Sequence, residues 1–242
     1  MKRLILFLLC ASILGAQGNV VRRRQVVASG GGSATLIQYK EGHGTNGSGT
    51  VTTTFDSSVV SGHGVILMTS LCIDAGCGYI GSAITATPPT GAIAAPGSPY
   101  LLNSNSMQMD IWYIPNASAG TAFTITYASG VYYAGVAASE WTGLATTSPF
   151  DQATASGSTT AVTSATVTPS NTTNANDLII GFIGMIGSAH TVTLGTGFSL
   201  AGQTTLGIQN EYRVVSSTGS WPCTWTFSSD QWNGSCAAIK LQ

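Results

Sequence analysis

The fold of this chain is decided by the stretch TAFTITY, residues 121–127, in which apolar and hydroxyl side chains alternate. Phe123, Ile125 and Tyr127 share one face of an extended segment, and the small or hydroxyl residues between them share the other. Because successive side chains of a β-strand point to opposite faces of a sheet, this pattern predicts a strand with one face toward the core.

Similar short stretches occur along the chain on both sides of this strand. They are rich in Val, Ile, Thr, Tyr and Phe, Gly, Ser, Asn and Pro separate them, and no long stretch has the 3.6-residue period of a helix. The predicted strands cover residues 34–40, 50–55, 64–73, 107–114, 121–127, 131–140, 163–168, 177–186, 208–216, 222–228 and 235–241. Many short strands without helical crossovers indicate an all-β fold, and we expect a two-sheet antiparallel sandwich that is jelly-roll-like.

Two segments are predicted as long surface loops. Residues 85–105 contain prolines at positions 88, 89, 96 and 99, and proline cannot donate a hydrogen bond to a strand ladder. Residues 142–160 are the second predicted loop.

Residues 1–18 have the layout of a secretory signal peptide. Two basic residues precede an apolar run at residues 4–14, and Ala-Gln-Gly at 16–18 provides a small-x-small cleavage site. The apolar run is shorter than the roughly 20 residues that cross a bilayer, so we expect no stable membrane span after cleavage. The protein is therefore predicted to be secreted, extracellular or at the cell surface.

Residues 19–33 form an N-terminal arm that is basic and then glycine-rich. Three arginines at 22–24 follow the apolar run, where positive charge resists translocation, and SGGGS at 29–33 is typical of a flexible connector. A single β-sandwich domain is predicted to follow at residues 34–242. Cleavage before Asn19 and processing after Arg24 both stay open.

Four of the five cysteines remain after the signal peptide, as the close pairs Cys72 with Cys77 and Cys223 with Cys236. An even number of cysteines in an exported chain indicates disulfides. Local pairing is favoured among the three possible pairings, because the first pair encloses a turn and the second joins two consecutive predicted strands. The CxxC-type spacing of a zinc site is absent.

Charged residues make up only 7% of the chain, against about a quarter in ordinary soluble domains. From residue 28 onward there are three basic and nine acidic residues, a balance of 3 − 9 = −6. Because phosphate groups are bound by clustered Lys and Arg, this composition argues against a nucleic-acid partner.

Several strings in the chain carry a family resemblance. In chain order they are DIWYI at 110–114, EWTGL at 140–144, SPFDQ at 148–152, NDLIIG at 176–181, EYRVVS at 211–216, Trp232 and AAIK at 237–240. Together they resemble a widespread, poorly characterised group of exported bacterial β-sandwich domains, over most of residues 34–241. The resemblance implies the fold and export but no activity, ligand or catalytic residue, and the two cysteine pairs depart from the pattern of the group.

The sequence contains no evident catalytic constellation. A Gly-x-Ser-x-Gly elbow is absent, and His43 and His63 lie in Gly-His-Gly turns, where a solvated loop position is the ordinary outcome. With His190 they are the candidates for a three-histidine metal site. Glycoside hydrolysis needs two carboxylates across a cleft, and with nine acidic residues some close pair is expected by chance.

Four aspartates lie at predicted strand or loop ends, where calcium often binds in sandwiches. They are Asp74, Asp151, Asp177 and Asp230. No loop has the spaced Asp and Asn ligands of a dedicated calcium site, so no cofactor is predicted and structural calcium stays an unassigned alternative.

The predicted strand 107–114 offers the clearest candidate for a ligand-binding face. Gln108, Asp110 and Trp112 alternate onto one side of it, opposite two methionines, an isoleucine and a tyrosine. Sugar-binding modules place an aromatic ring beside polar side chains, because the C–H face of a sugar packs on the ring and its hydroxyls need directional partners. If the methionine face is the core, Trp112 points outward; the alternative is a Trp112 buried between the sheets.

Trp141 and Trp232, each at a strand-loop junction, are further ligand-binding candidates. The sequence thus predicts a non-catalytic extracellular module that binds a glycan or assembles with copies of itself, the latter through an arm that adds a strand to a neighbour's sheet edge. The alternative is a secreted polysaccharide-active enzyme, a glycoside hydrolase or lyase, on the same fold.

Overall fold

A computed structural model of the chain describes residues 32–72, 85–102, 107–185, 191–203 and 208–242. The predicted signal peptide, most of the predicted arm, Cys77 with the Cys72 side chain, Asp74 and His190 lie outside these residues. Predictions that concern them stay predictions. In the described ranges no helix has the length and apolar character to cross a membrane.

Thirteen β-strands make up the described part of the chain. They are β1 (Thr35–Thr54), β2 (Gly64–Cys72), β3 (Ala86–Thr87), β4 (Ile93–Ala94), β5 (Tyr100–Leu102), β6 (Met107–Ile114), β7 (Ala122–Thr142), β8 (Phe150–Val167), β9 (Asp177–Met185), β10 (Thr193–Leu194), β11 (Ser199–Gln203), β12 (Ile208–Val215) and β13 (Cys223–Lys240). All pairings among them are antiparallel. The predicted all-β, two-sheet antiparallel sandwich is confirmed.

Each sheet is built from one half of the chain. The first has the central order β1-β7-β2-β6, with β3 pairing β7 and with β4 and β5 pairing β6. The second has the order β8-β13-β9-β12, with β10 pairing β13 and β11 pairing β12. The chain therefore completes one sheet before it starts the next, and does not alternate between sheets as a jelly roll does.

The two halves repeat one arrangement of strands in nearly the same register. Val65 matches Asp177, because the residues that follow them, Ile66 and Leu178, both lie in the core between the sheets. Val65 pairs with Glu140 and Asp177 pairs with Lys240, so β7 and β13 correspond at a spacing of 240 − 140 = 100 residues. At this spacing FTITY at 123–127 matches CTWTF at 223–227. The sandwich is thus an internal structural repeat, with one copy of the unit in each sheet.

A large apolar core lies between the sheets and contains residues of both halves. Ile66, Met109 and Ile111 of the first sheet share it with Leu178 and Phe182 of the second, among others. All five side chains are at most 1% exposed. Burying apolar surface of this kind contributes about 25 cal/mol per Å², so the core holds the two halves together.

Each half also has a core of its own, on the outer face of its sheet. The long strands bend so that their outer parts cover this face, and bulges interrupt their register at the bends. In β1 the bend brings Gly42 so close to Thr52 that a Cβ at position 42 would overlap the Thr52 backbone. Glycine is required there because any side chain would force the two segments apart.

The predicted disulfide between Cys223 and Cys236 is present, with Cα atoms 5.9 Å apart. It ties the outer part of β13 to its central part. A Cβ on Gly181 of β9 would lie 2.7 Å from the Cys223 sulfur and 2.8 Å from the Trp225 ring, so the missing side chain makes room for the covering strand.

The predicted loops are wrong in part. Residues 150–160 belong to β8, an edge strand whose Ser, Thr and Ala side chains lack the apolar alternation of a half-buried strand. Residues 85–102 include β3, β4 and β5, which are too short to produce a pattern. Three long strands, β1, β7 and β13, each combine two predicted strands, because the chain bends there without leaving the sheet.

Candidate functional site

A cavity of about 300 Å³ lies against the outer face of β6. Gln108, Asp110 and Trp112 line it, as alternate residues of this strand. The residues that complete the lining come from the segment before β6 and are Thr85, Ala86, Ala94, Ser98 and Pro99. The structure thus brings three of the predicted ligand-binding residues together at one cavity.

Asp110 is 2% exposed and accepts hydrogen bonds from three side chains. Gln108 Nε2 lies 3.1 Å away, Ser98 Oγ 3.2 Å and Thr69 Oγ1 3.5 Å. Burial raises the pKa of Asp110 to about 6, against the lowering effect of these hydrogen bonds. Near pH 6 the carboxyl therefore exchanges between a form that only accepts hydrogen bonds and a form that also donates one.

Trp112 is 5% exposed and belongs to the outer core of the first half, together with Leu67 and Ile125. Its side chain is on the face opposite Met109 and Ile111, which are in the core between the sheets. Trp112 is therefore neither an open surface residue nor a core residue between the sheets. It is a covered aromatic side chain that lines the cavity.

The structural repeat supplies an internal reference for this site. Val65 pairs with Ile114 and Asp177 with Val215, so β6 and β12 correspond at a spacing of 215 − 114 = 101 residues. The positions of Gln108, Asp110 and Trp112 are taken in the second half by Gln209, Glu211 and Arg213.

Glu211 is fully buried, and each of its two carboxyl oxygens accepts a hydrogen bond from a main-chain N–H group. Its Oε1 accepts the amide N–H of Thr224 at 2.9 Å, and its Oε2 accepts that of Gly195 at 2.9 Å. Burial raises the pKa of Glu211 to about 7, against these two hydrogen bonds. This acid therefore fastens two segments of the second half to β12.

The segment that borders the cavity has no counterpart of equal length in the second half. Between β3 and β5 the first half has residues 88–99, whereas between β10 and β11 the second half has only residues 195–198. In the second half Arg213 packs over the Trp221 ring, 4.7 Å from its centroid. Arg213 also lines a cavity, together with Gly197 and Ser199, but that cavity measures only about 90 Å³, against about 300 Å³ beside Trp112.

Glu140 is a third buried acid, and its contacts are local. Its Oε1 accepts the Val60 amide at 2.9 Å and lies 2.6 Å from His63 Nδ1, and its Oε2 accepts Gln38 Nε2 at 2.5 Å. These contacts hold the segment after β1 against the sheet. His43 Nε2 lies 3.4 Å from Glu41, and within the described ranges no three His, Cys, Asp or Glu residues form a metal-binding group.

Asp151 and Asp177, two of the calcium candidates, lie side by side. Although burial alone would raise it, hydrogen bonds from Thr173 and Asn174 lower the pKa of Asp151. Burial raises the pKa of Asp177 to about 6, with a further contribution from the Asp151 charge. The Asn174 Nδ2 group donates to Asp177 Oδ1 at 3.0 Å and to the Asn176 carbonyl at 2.6 Å, so an amide nitrogen already bridges oxygens that a cation would need.

The two further tryptophan candidates do not line the cavity. Trp141 is fully buried between the sheets, where its Nε1–H donates to Ser139 Oγ at 2.8 Å. Trp232 is 5% exposed and belongs to the outer core of the second half. Sequence analysis missed Ser98 and Thr69, which contact Asp110, because nothing in a proline-broken segment or a buried strand marks a residue as its partner.

Comparison of the chain with protein-family models, with curated proteins and with solved structures found no match. What the site does is therefore inferred from its own geometry and chemistry.

We expect the stability of the protein to fall as the pH rises from 5 to 8. Asp110 and Glu211 have pKa values raised from 3.8 to about 6 and from 4.5 to about 7. Protonation of these two carboxyl groups stabilises the folded state. This contribution is complete below their pKa values in the unfolded chain, and it is lost as the pH rises through their raised pKa values in the folded protein. Urea titrations at pH 5 and pH 8 should show a loss of unfolding free energy that is smaller in Asp110→Asn than in wild type by about 1 to 1.5 kcal/mol, because about one pH unit separates pH 5 from the raised pKa. An equal loss in both proteins would mean that Asp110 titrates normally.

Proposed function

We propose that this protein is a non-catalytic extracellular binding module whose cavity at Gln108, Asp110 and Trp112 takes a neutral, hydroxyl-bearing ligand of the glycan class. One observation carries the proposal. A carboxyl, an amide and an indole line a cavity in the first half, while the acid at the corresponding position of the second half is closed off by main-chain amides.

The chemistry of the lining suits a sugar. The polar groups of the lining are the Gln108 amide, which is buried and donates to Asp110, and the Asp110 carboxyl, which accepts hydrogen bonds when ionised and also donates one when protonated. Trp112 offers an aromatic ring to C–H groups. None of the described lining residues is basic, so an anionic ligand would meet the Asp110 charge without a compensating cation.

The volume of the cavity limits the size of the bound group. At about 300 Å³ it is at the lower end of the range for small-molecule sites. A cavity of this size accommodates one sugar residue more readily than a longer stretch of chain. We therefore expect recognition of a terminal or branch residue of a glycan.

The alternative function is a polysaccharide-active enzyme. Glycoside hydrolysis uses two carboxyl groups about 5 to 10 Å apart across the substrate. Asp110 is the one carboxyl residue among the described residues that line the cavity, and this observation favours binding over hydrolysis. Asp151 and Asp177, which are close enough to hydrogen-bond to each other, lie elsewhere.

Extracellular location is part of the proposal and has its own support. Residues 1–18 have the layout of a signal peptide, and the Cys223–Cys236 disulfide is compatible with an oxidising compartment. The resemblance to exported bacterial sandwich domains points the same way. Mass spectrometry of the secreted chain should find its N-terminus at Asn19 or Gln25, and an intact Met1 would contradict export.

A glycan array tests the proposed ligand class, with the mature wild-type chain and two matched variants. Gln108→Ala removes a lining amide, and Gln209→Ala removes the glutamine at the corresponding position of the second half. We expect Gln108→Ala to weaken binding at least about tenfold, or 1.4 kcal/mol, and Gln209→Ala to leave it unchanged. Equal binding by all three proteins would exclude the cavity as the site, and release of sugar products would favour the enzyme.

A further inference from the structure

The smaller cavity, of about 90 Å³, lies where β1 at the edge of the first sheet contacts β11 at the edge of the second. Thr35 and Leu36 of β1 line it on one side, and Gly197, Ser199 and Arg213 line it on the other. Among the described residues of its lining one is basic, Arg213, and none is acidic. The cavity beside β6 has the opposite character, since its charged lining residue is an acid.

The Arg213 guanidinium is fixed by contacts with its faces. Its Cζ lies 4.7 Å from the centroid of the Trp221 ring. A Cβ at Gly197 would lie 3.2 Å from Nη1, 3.3 Å from Cζ and 3.6 Å from Nε, so the Gly197 main chain packs over a face of the group and not at its edge. Such contacts leave the N–H groups, which point outward in the guanidinium plane, for other partners.

These N–H groups have no acceptor in the part of the chain that the structure describes. There Arg213 forms no ion pair and its side chain donates no hydrogen bond. Glu211 is on the same face of β12, but each of its carboxyl oxygens already accepts a main-chain N–H group. A guanidinium carries five N–H donors, and a half-buried one without an acceptor is stabilised when an acceptor binds.

We propose that Arg213 binds a carboxylate group in this cavity, as a second ligand site of the protein. Two parallel N–H groups of a guanidinium match the two oxygens of a carboxylate in spacing and plane. The hydroxyl groups of the lining residues Thr35 and Ser199 are further hydrogen-bond donors at the site.

The size and charge of the site both favour a carboxylate over a larger or more highly charged anion. A cavity needs roughly 10 to 15 Å³ to hold one water, so about 90 Å³ admits a group of a few heavy atoms but not a whole sugar ring. A phosphate group carries a charge of about −1.5 to −2 at pH 7, and one guanidinium does not balance it. The ligand is therefore a small organic acid, or a sugar acid whose ring stays outside the cavity.

The structural repeat relates this site to the cavity beside β6. Arg213 takes the strand position of Trp112, so the same place offers an indole ring in one half and a guanidinium in the other. The two cavities share no described lining residue. The carboxylate site therefore does not depend on the glycan site, and either can bind its ligand without the other.

Fluorine NMR of the 5-fluorotryptophan-labelled mature chain tests the site through Trp221, which packs against Arg213. At constant ionic strength, acetate and glucuronate should each shift the Trp221 resonance to saturation, with dissociation constants on the order of millimolar. Glucose should leave this resonance in place, and sulfate should bind at least about tenfold more weakly than acetate. Equal affinity for acetate and glucuronate would identify a small acid as sufficient, and tighter binding of glucuronate would identify a sugar acid.

Three variants assign the binding to Arg213. Arg213→Gln should abolish the saturable shift, and Arg213→Lys, which keeps the charge but loses the paired N–H groups, should weaken binding at least about fivefold. Lys40→Gln is the matched control, because it removes a positive charge outside the cavity lining and should leave the affinity unchanged. No saturable shift with either carboxylate, a shift that persists in Arg213→Gln, or sulfate binding as tight as acetate binding would each overturn the proposal.

Discussion

Replacing Trp141 with alanine is expected to lower the free energy of unfolding by about 3 to 5 kcal/mol, the largest effect of any single substitution considered for this protein. Trp141 is fully buried between the sheets and packs edge to face on Tyr212 of the opposite sheet, with ring centroids 4.9 Å apart. Its removal leaves a cavity where the two halves meet. It also removes the indole N–H that donates a hydrogen bond to Ser139 Oγ.

Urea denaturation measures this loss, and Trp141→Phe is its control. Phenylalanine keeps an aromatic ring beside Tyr212 but cannot donate to Ser139, so we expect a loss of only about 1 to 2 kcal/mol. If alanine costs no more than phenylalanine, the packing of Trp141 across the two sheets does not hold the halves together.

Loss of the Cys223–Cys236 disulfide is expected to have the second largest effect. The bridge closes a loop across the bend of β13, with a sequence separation of 13. Freeing a loop of this length should lower the free energy of unfolding by about 3 kcal/mol. The sulfur atoms also pack in the outer core of the second half, which loses apolar contacts when they are removed.

The double variant Cys223→Ala, Cys236→Ala separates these effects from reduction of the other cysteines. Its melting temperature should fall by about 6 to 12 °C, given roughly 2 to 4 °C per kcal/mol for a chain of this size. A melting temperature equal to that of wild type would show that the bend of β13 is held by packing alone.

The sequence was sufficient to predict the fold class because apolar alternation is a local signal. Phe123, Ile125 and Tyr127 are all buried on one face of β7, as their spacing predicts. The first part of β8, residues 150–160, was missed because it is an edge segment with mostly small or hydroxyl side chains and has no apolar face to detect, whereas the end of β8 lies within the predicted strand 163–168. Strand length was underestimated because the local alternation of side chains is interrupted where a strand bends.

The structural repeat has only a weak counterpart in the sequence. Thr124, Thr126 and Ala137-Ala138 recur 100 residues later, but few other residues of β7 do. The fold constrains which positions are apolar, not which apolar residue occupies them. The register of the strands is needed to align the halves.

The β6 residues of the candidate site were predictable from the sequence, but the segment that folds over them was not. Alternation alone places Gln108, Asp110 and Trp112 on one face of β6. The contact of Ser98 with Asp110 depends on how a segment with two-residue and three-residue strands folds over that face. Nor does sequence reveal that the acid at the corresponding position, Glu211, is closed off by main-chain amides.

Fluorine NMR of the 5-fluorotryptophan-labelled protein tests the proposed site most directly. The chain has five tryptophans, Trp112, Trp141, Trp221, Trp225 and Trp232, so each gives one resonance that a Trp→Phe variant assigns. Titration with a glycan that binds on the array should shift the Trp112 resonance in proportion to occupancy and leave the other four in place. A glycan that binds while shifting Trp141, Trp221, Trp225 or Trp232 instead, or none of the five, would contradict the assignment of the cavity as the binding site.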